Sequence, residues 1–167
     1  TGVDLDHPDL QSKIVAGYNY DALPNNSNAD DDEGHGTHVA GIAAATSNND
    51  TGIAGVSWGA RVMPVKVLNH HGNGSLANIA SGIIWATDNG AEIINVSLGG
   101  QGTNATMTNA VQYAVDAGVL VVASAGNCGD GNYMWNGCST ENPSDLYPAS
   151  YDNVMAVAST DTNNNRS

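Results

Sequence analysis

Four short apolar runs punctuate the chain: Val62 to Leu68, Ile93 to Leu98, Val119 to Ser124 and Asn153 to Ala158. They are rich in β-branched residues and apolar at successive rather than alternate positions, as strands of a parallel sheet covered on both faces require. Between them the period changes. Ala77 to Asn89 puts Ile79, Ile83 and Ala86 at helical spacing, with Gly90 placed to close the C-terminus. Ala105 to Ala117 puts Met107, Val111, Ala114 and Val115 on one stripe, followed by Gly118. His35 to Thr46, rich in Ala and Gly, suits a tightly packed helix. Strands alternating with helices predict an α/β fold, a right-handed parallel sheet sandwiched between helices. The polar, acidic segment Asp21 to Glu33 and the long segment Gly126 to Asp152 read as loops, the second long enough for a functional role.

Composition narrows the function. With 41% apolar residues in 167, the chain can form a core of one domain, or part of a larger one. Only 13% of residues are charged, seventeen acidic against four basic, a net charge of −13. Nucleic-acid binding, which needs basic patches to displace counterions, is excluded, and so is docking on anionic membranes. No apolar run approaches the roughly 20 residues of a membrane span. Low Lys with abundant Asn, Gly and Ser matches secreted microbial enzymes.

The densest motif is Gly34-His35-Gly36-Thr37-His38-Val39-Ala40-Gly41. Two His residues three apart share a helix face, and Asp30, Asp31, Asp32 and Glu33 could add oxygen ligands, so a metal site is one reading. A structural His pair and a catalytic base are the others. Elsewhere, Gly100-Gln101-Gly102-Thr103-Asn104-Ala105 fits a dinucleotide-binding turn. The acidic residue that such a turn needs about 20 positions on is missing, because the following strand runs into Ser124-Ala125-Gly126-Asn127.

The octapeptide resembles the subtilisin-like serine proteases, whose catalytic His opens the run H-G-T-H-V-A-G. The resemblance continues along the whole chain. Thr1-Gly2-Val3 with His7-Pro8-Asp9-Leu10 is similar to the segment just after the family's catalytic Asp. Val65 to Leu68 with Gly72 to Ser75 is similar to its substrate-binding edge, and Ile94 to Gly100 to one wall of its specificity pocket. Ala125-Gly126-Asn127 resembles the oxyanion-hole segment, and Tyr147-Pro148-Ala149 the next landmark. Ile42 to Ala45, Thr51 to Gly55 and Ala156 to Asp161 look most like the thermitase group.

The resemblance implies a serine endopeptidase of the subtilisin-like fold, with residues 1–167 forming part of its peptidase domain. The family's catalytic Asp would immediately precede Thr1 and its nucleophilic Ser would lie beyond Ser167, so these residues alone are expected to be inactive. His35 is implied as general base and Asn127 as oxyanion donor. Gly72, Asn73 and Gly74, Ser97, Leu98 and Gly99, and Ser124, Ala125 and Gly126 are implied to bind substrate. His38 is expected to be a buried structural residue. Calcium is the implied cofactor, held by Asp9, the side chain of Asn49 and the carbonyls of Thr46, Thr51 and Ile53; an ordinary Asn-rich turn is the other reading of that loop. Cys128 and Cys138 fit neither a zinc site nor a redox pair; in a secreted protein they are expected to form a disulfide, two free thiols being the alternative. The protein is expected to be an extracellular monomer acting on protein or peptide substrates. The competing class is a catalytically inactive binding or structural relative.

Overall fold

A computed structural model describes residues 1–16, 20–23, 28–127 and 146–164. The chain divides into two compact units, Thr1–Gly90 and Ala91–Ser167.

In the first unit the N-terminal segment runs extended into a 3-10 turn at Gln11–Lys13. Val3, Leu10, Ala40 and Ala45 form a small core, with Ile14 and Val62 packed against it. Strand β1 (Tyr20–Asp21) pairs in parallel with β2 (Val65–Lys66). Helix α1 (His35–Ala44) precedes β2, and α2 (Leu76–Asp88) follows it. The side chain of Ser75 caps α2 by accepting from the amide of Asn78, and Gly90, at φ +82°, follows the helix end. Gly82 lets α2 lie close on β2 and the residue after it, since a Cβ there would meet Val65 Cγ1 at 2.9 Å and Val67 Cγ1 at 2.5 Å. Of the expected run Val62 to Leu68 only Val65–Lys66 forms a ladder, with a single bridge from Val62 to Ile14. Pro64 explains the break: it has no N–H to give, and its carbonyl accepts from Tyr20 instead.

In the second unit β3 (Ile93–Val96), β5 (Leu120–Ser124) and β7 (Met155–Val157) form a parallel sheet in the order β3-β5-β7. A two-residue antiparallel pair, β4 (Gly100–Gln101) with β6 (Leu146–Tyr147), lies apart from it. Helix α3 (Ala105–Asp116) is capped by the side chain of Asn104 and buries Met107, Ala110, Val111 and Ala114. It packs on β5, where Val121 and Ala123 are fully buried. The alternate positions fare differently. Ile93, Leu120, Met155 and Val157 are 61%, 41%, 53% and 50% exposed. The parallel α/β reading therefore holds, with helix cover on one face of this sheet and an apolar opposite face open to solvent.

Candidate active site

Helix α1 begins at His35, directly after Gly34 at φ +109°. Its exposed N-terminal amides are the groups a helix leaves without internal partners, and two acidic side chains take them up. Asp31 Oδ1 accepts from the amides of Glu33 (3.1 Å) and Gly34 (3.0 Å), and Asp31 Oδ2 from the amide (2.9 Å) and hydroxyl (2.6 Å) of Thr37. Glu33 Oε2 accepts from the amide of His35 at 2.8 Å. Burial opposes the Asp31 charge, but the donors on Gly34 and Thr37 and the hydroxyl of Thr1 outweigh it and hold the carboxyl well below the usual carboxylate range.

The same turn is fastened to the start of the chain. The amide of Asp4 donates to Thr37 Oγ1, and the amide of Gly36 donates to Thr1 Oγ1, both at 2.9 Å. Gly36 has to be glycine, since a Cβ there would lie 1.9 Å from the carbonyl oxygen of Gly2. Lys66, fully buried, donates to the carbonyl of Thr1 and pairs with Asp32 at 2.5 Å. His35 itself is exposed at the end of the helix.

His38 departs from expectation. It is exposed rather than buried, on the wall of a cavity of about 680 Å³ shared with Asp4, His7, Asp9 and Asp31. One helical turn beyond His35, it is carried around to solvent instead of into the Val3–Leu10 core. Among the described residues no three His, Cys, Asp or Glu side chains converge as metal ligands, so His35, His38 and the acidic run do not assemble such a site.

Asp9 and the segment 46–53 do come together. Asp9 is only 1% exposed; its Oδ1 accepts from Asn49 Nδ2 at 2.8 Å and its Oδ2 from the amide of Ile53 at 3.0 Å. The Thr46 amide donates to the Asp9 carbonyl. Asn48, Asp50 and Gly52 all adopt positive φ, coiling the loop, and a Cβ on Gly52 would strike Asp9 Oδ2. The donors from Asn49 and Ile53, with the charge of His7, hold the Asp9 carboxyl below its ordinary value against the effect of burial. The Lys66–Asp32 contact is the one salt bridge among the described residues, so the buried Asp9 carboxylate has no Lys or Arg opposite it. The loop coils around the Asp9 carboxylate with the Asn49 amide nitrogen, not its oxygen, facing Oδ1; a hard cation there would call on oxygens alone, those of Asp9 and Asn49 and the carbonyls of Thr46, Thr51 and Ile53.

Gly72, Asn73 and Gly74 lie in an exposed turn after β2. Asn69 builds it, its Oδ1 accepting from the amides of His71 and Asn73. In the second unit Ser97, Leu98 and Gly99 follow β3, and Ala125, Gly126 and Asn127 follow β5, whose last residue is Ser124. Because Val96 is in register with Ala123, both segments leave the carboxyl ends of adjacent parallel strands, where open α/β sheets carry their ligands. Ser124 Oγ donates to the Leu98 carbonyl at 3.4 Å, tying the two together. Gly126, at φ +92°, leaves room that a Cβ would take from Leu146, and Asn127 is exposed beyond it. Cys128 and Cys138 lie outside the described residues.

Asp31, Thr37 and Lys66 hold the site together in roles that pattern reading does not give them: Asp31 reads only as a possible metal ligand and Thr37 only as a motif position. Lys66 had a usable signal: a charge inside an apolar run must be paired when buried, and it is one of only four basic residues.

The subtilase family profile matches residues 1–167, and the chain belongs to that family. It is 46% identical over 170 residues to thermitase of Thermoactinomyces vulgaris, covering 100% of this chain and 55% of that protein. A thermophilic serine proteinase of Bacillus sp. (strain AK1) is 48% identical over 161 residues, 96% of this chain and 37% of that protein. Subtilisin Savinase of Lederbergia lenta is 43% identical over 166 residues, 99% of this chain and 55% of that protein. The chain thus spans about half the length, or less, of these curated relatives.

Proposed function

We propose that the whole protein is a serine endopeptidase that hydrolyses protein or peptide substrates through an acyl-enzyme. The observation that carries the reading is the fastening of the His35 turn to Thr1–Asp4. It uses Gly36 and Thr37 of the motif and holds an exposed imidazole beside the segment that follows the family's catalytic Asp. A serine hydroxyl is a weak nucleophile until a base takes its proton. His35 takes that proton as the oxygen attacks the scissile carbonyl carbon, then gives it to the leaving amine as the C–N bond breaks. Water repeats the sequence to release the acid. The Asn127 amide donates to the oxyanion formed at each step; in enzymes of this family, losing one such donor lowers kcat about 10²–10³-fold. Serine nucleophile and orienting carboxylate come from outside the 167 residues.

Calcium at Asp9 and the 46–53 loop stabilises the protein and takes no part in the bond chemistry. The protein works outside the cell, a reading its low Lys and abundant Asn, Gly and Ser support; no described helix is long and apolar enough to cross a membrane. The test is hydrolysis of a fluorogenic peptide by the whole protein, blocked by a fluorophosphonate and lost in His35→Ala. A folded protein that cleaves no substrate and resists labelling would instead be the inactive binding relative.

A further inference from the structure

We propose that Asp31 is a positioning residue for His35, a carboxylate that sets the direction of the Thr37 hydroxyl bridge joining helix α1 to the Thr1–Asp4 segment. The inference rests on the reading of His35 as general base. Two hydroxyls span the seam in opposite senses. Thr37, on α1, accepts from the Asp4 amide, and Thr1 accepts from the Gly36 amide of α1. A hydroxyl can accept across the seam in this way only if its own proton points elsewhere. For Thr37, Asp31 is where that proton goes: Thr37 Oγ1 donates to Asp31 Oδ2 at 2.6 Å.

Every group that meets Asp31 is a donor: the amides of Glu33 and Gly34 on one oxygen, the amide and hydroxyl of Thr37 on the other. An acceptor-only carboxylate satisfies all of them at once. An isosteric amide cannot, because in either flip its NH₂ faces N–H donors of the turn. If the NH₂ lies toward Thr37, the hydroxyl also reverses and the Asp4 amide loses its acceptor. Asp31 touches neither substrate nor reacting atoms. It acts by fixing how the first turn of α1, and with it the His35 ring, sits against the segment after the orienting carboxylate. Displacements of about 1 Å at such a seam are enough to cost catalysis up to about a hundredfold.

The experiment compares Asp31→Asn, Thr37→Val and Thr37→Ser in the whole protein. It reads kcat and KM separately, the acidic limb of the pH–rate profile, and the His35 Cε1–H titration by NMR in each folded variant. Asp31→Asn is expected to lower kcat at least about tenfold with KM nearly unchanged, and to move both the acidic limb and the His35 titration. Thr37→Val is expected to follow it, and Thr37→Ser, which keeps the hydroxyl, to recover most of the loss. If Asp31→Asn is too unstable to purify, the Thr37 pair decides. Loss of thermal stability alone, with kcat, the acidic limb and the His35 titration unmoved, would overturn the proposal. His35→Ala retaining activity would overturn the reading of His35 instead, and the NMR titration keeps the two failures apart.

Discussion

Gly36 and Gly41 occupy the same helix, and the same substitution at each should have opposite effects. On helix propensity alone, Gly→Ala inside a helix gains up to about 1 kcal/mol. At Gly41 nothing opposes that gain: the new Cβ would find only Ile53 Cδ1, at the ordinary contact distance of 3.7 Å. At Gly36 the Cβ would fall 1.9 Å from the Gly2 carbonyl oxygen, and the obstacle is backbone that cannot rotate away. The Thr1–Gly2 segment must then withdraw from α1. Overpacking of this kind costs about 1–3 kcal/mol. The withdrawal also stretches the 2.9 Å bond from the Gly36 amide to Thr1 Oγ1, a loss of about 0.5–1.5 kcal/mol. After the propensity gain is set against these, Gly36→Ala should be destabilising by about 1–3 kcal/mol, a fall in Tm of several degrees at about 2–4 °C per kcal/mol. Gly41→Ala should raise Tm slightly. Circular-dichroism melts of the two variants measure the signs, and amide exchange at Asp4 and Thr37 locates the damage. Gly36→Ala as stable as the parent, or both variants shifting the same way, would refute the packing argument.

Calcium should raise Tm and EDTA lower it, whereas Asp9→Asn should melt at one temperature in either buffer; an undiminished response to chelator in the variant would remove Asp9 from the ligand set. Asp31 and Asp9 are both held below their ordinary carboxylate values, so both contribute stability that is present above about pH 4 and lost as pH falls further through their lowered folded values. Asp31→Asn should therefore flatten the acid side of the stability curve below about pH 4, measured by urea titration at stepped pH; an unchanged acid slope would contradict the assigned hydrogen bonds.

The large elements were legible because they rest on local signals. Runs apolar at successive positions marked β3, β5 and β7, and Gly90 and Gly118, both at positive φ, closed α2 and α3 where pattern placed their ends. The two-residue strands β1, β4 and β6 carry no such pattern, since backbone pairing alone defines them. Within the acidic run, composition cannot distinguish neighbours that do different things. Asp30 Oδ1 accepts from the Leu5 amide, Asp31 takes up the helix start, and Asp32 pairs with Lys66. The roles of Asp30 and Asp32 depend on donors the fold brings from 25 and 34 positions away, whereas Asp31 takes its Glu33, Gly34 and Thr37 donors from 2 to 6 positions along the chain. His35, Asn127 and the Asp9 loop are singled out by resemblance alone, whereas the partners that hold the His35 turn in place appear only in three dimensions.

The central claim, that His35 serves a serine nucleophile, is tested most directly by labelling the whole protein with a fluorophosphonate before and after His35→Ala while following hydrolysis of a fluorogenic peptide. The expected result is stoichiometric labelling of one serine in the parent, with hydrolysis extinguished in proportion. In His35→Ala labelling should nearly vanish and kcat should fall about a millionfold, as when the His is removed from such a triad. Hydrolysis that survives either the label or the substitution would contradict the claim.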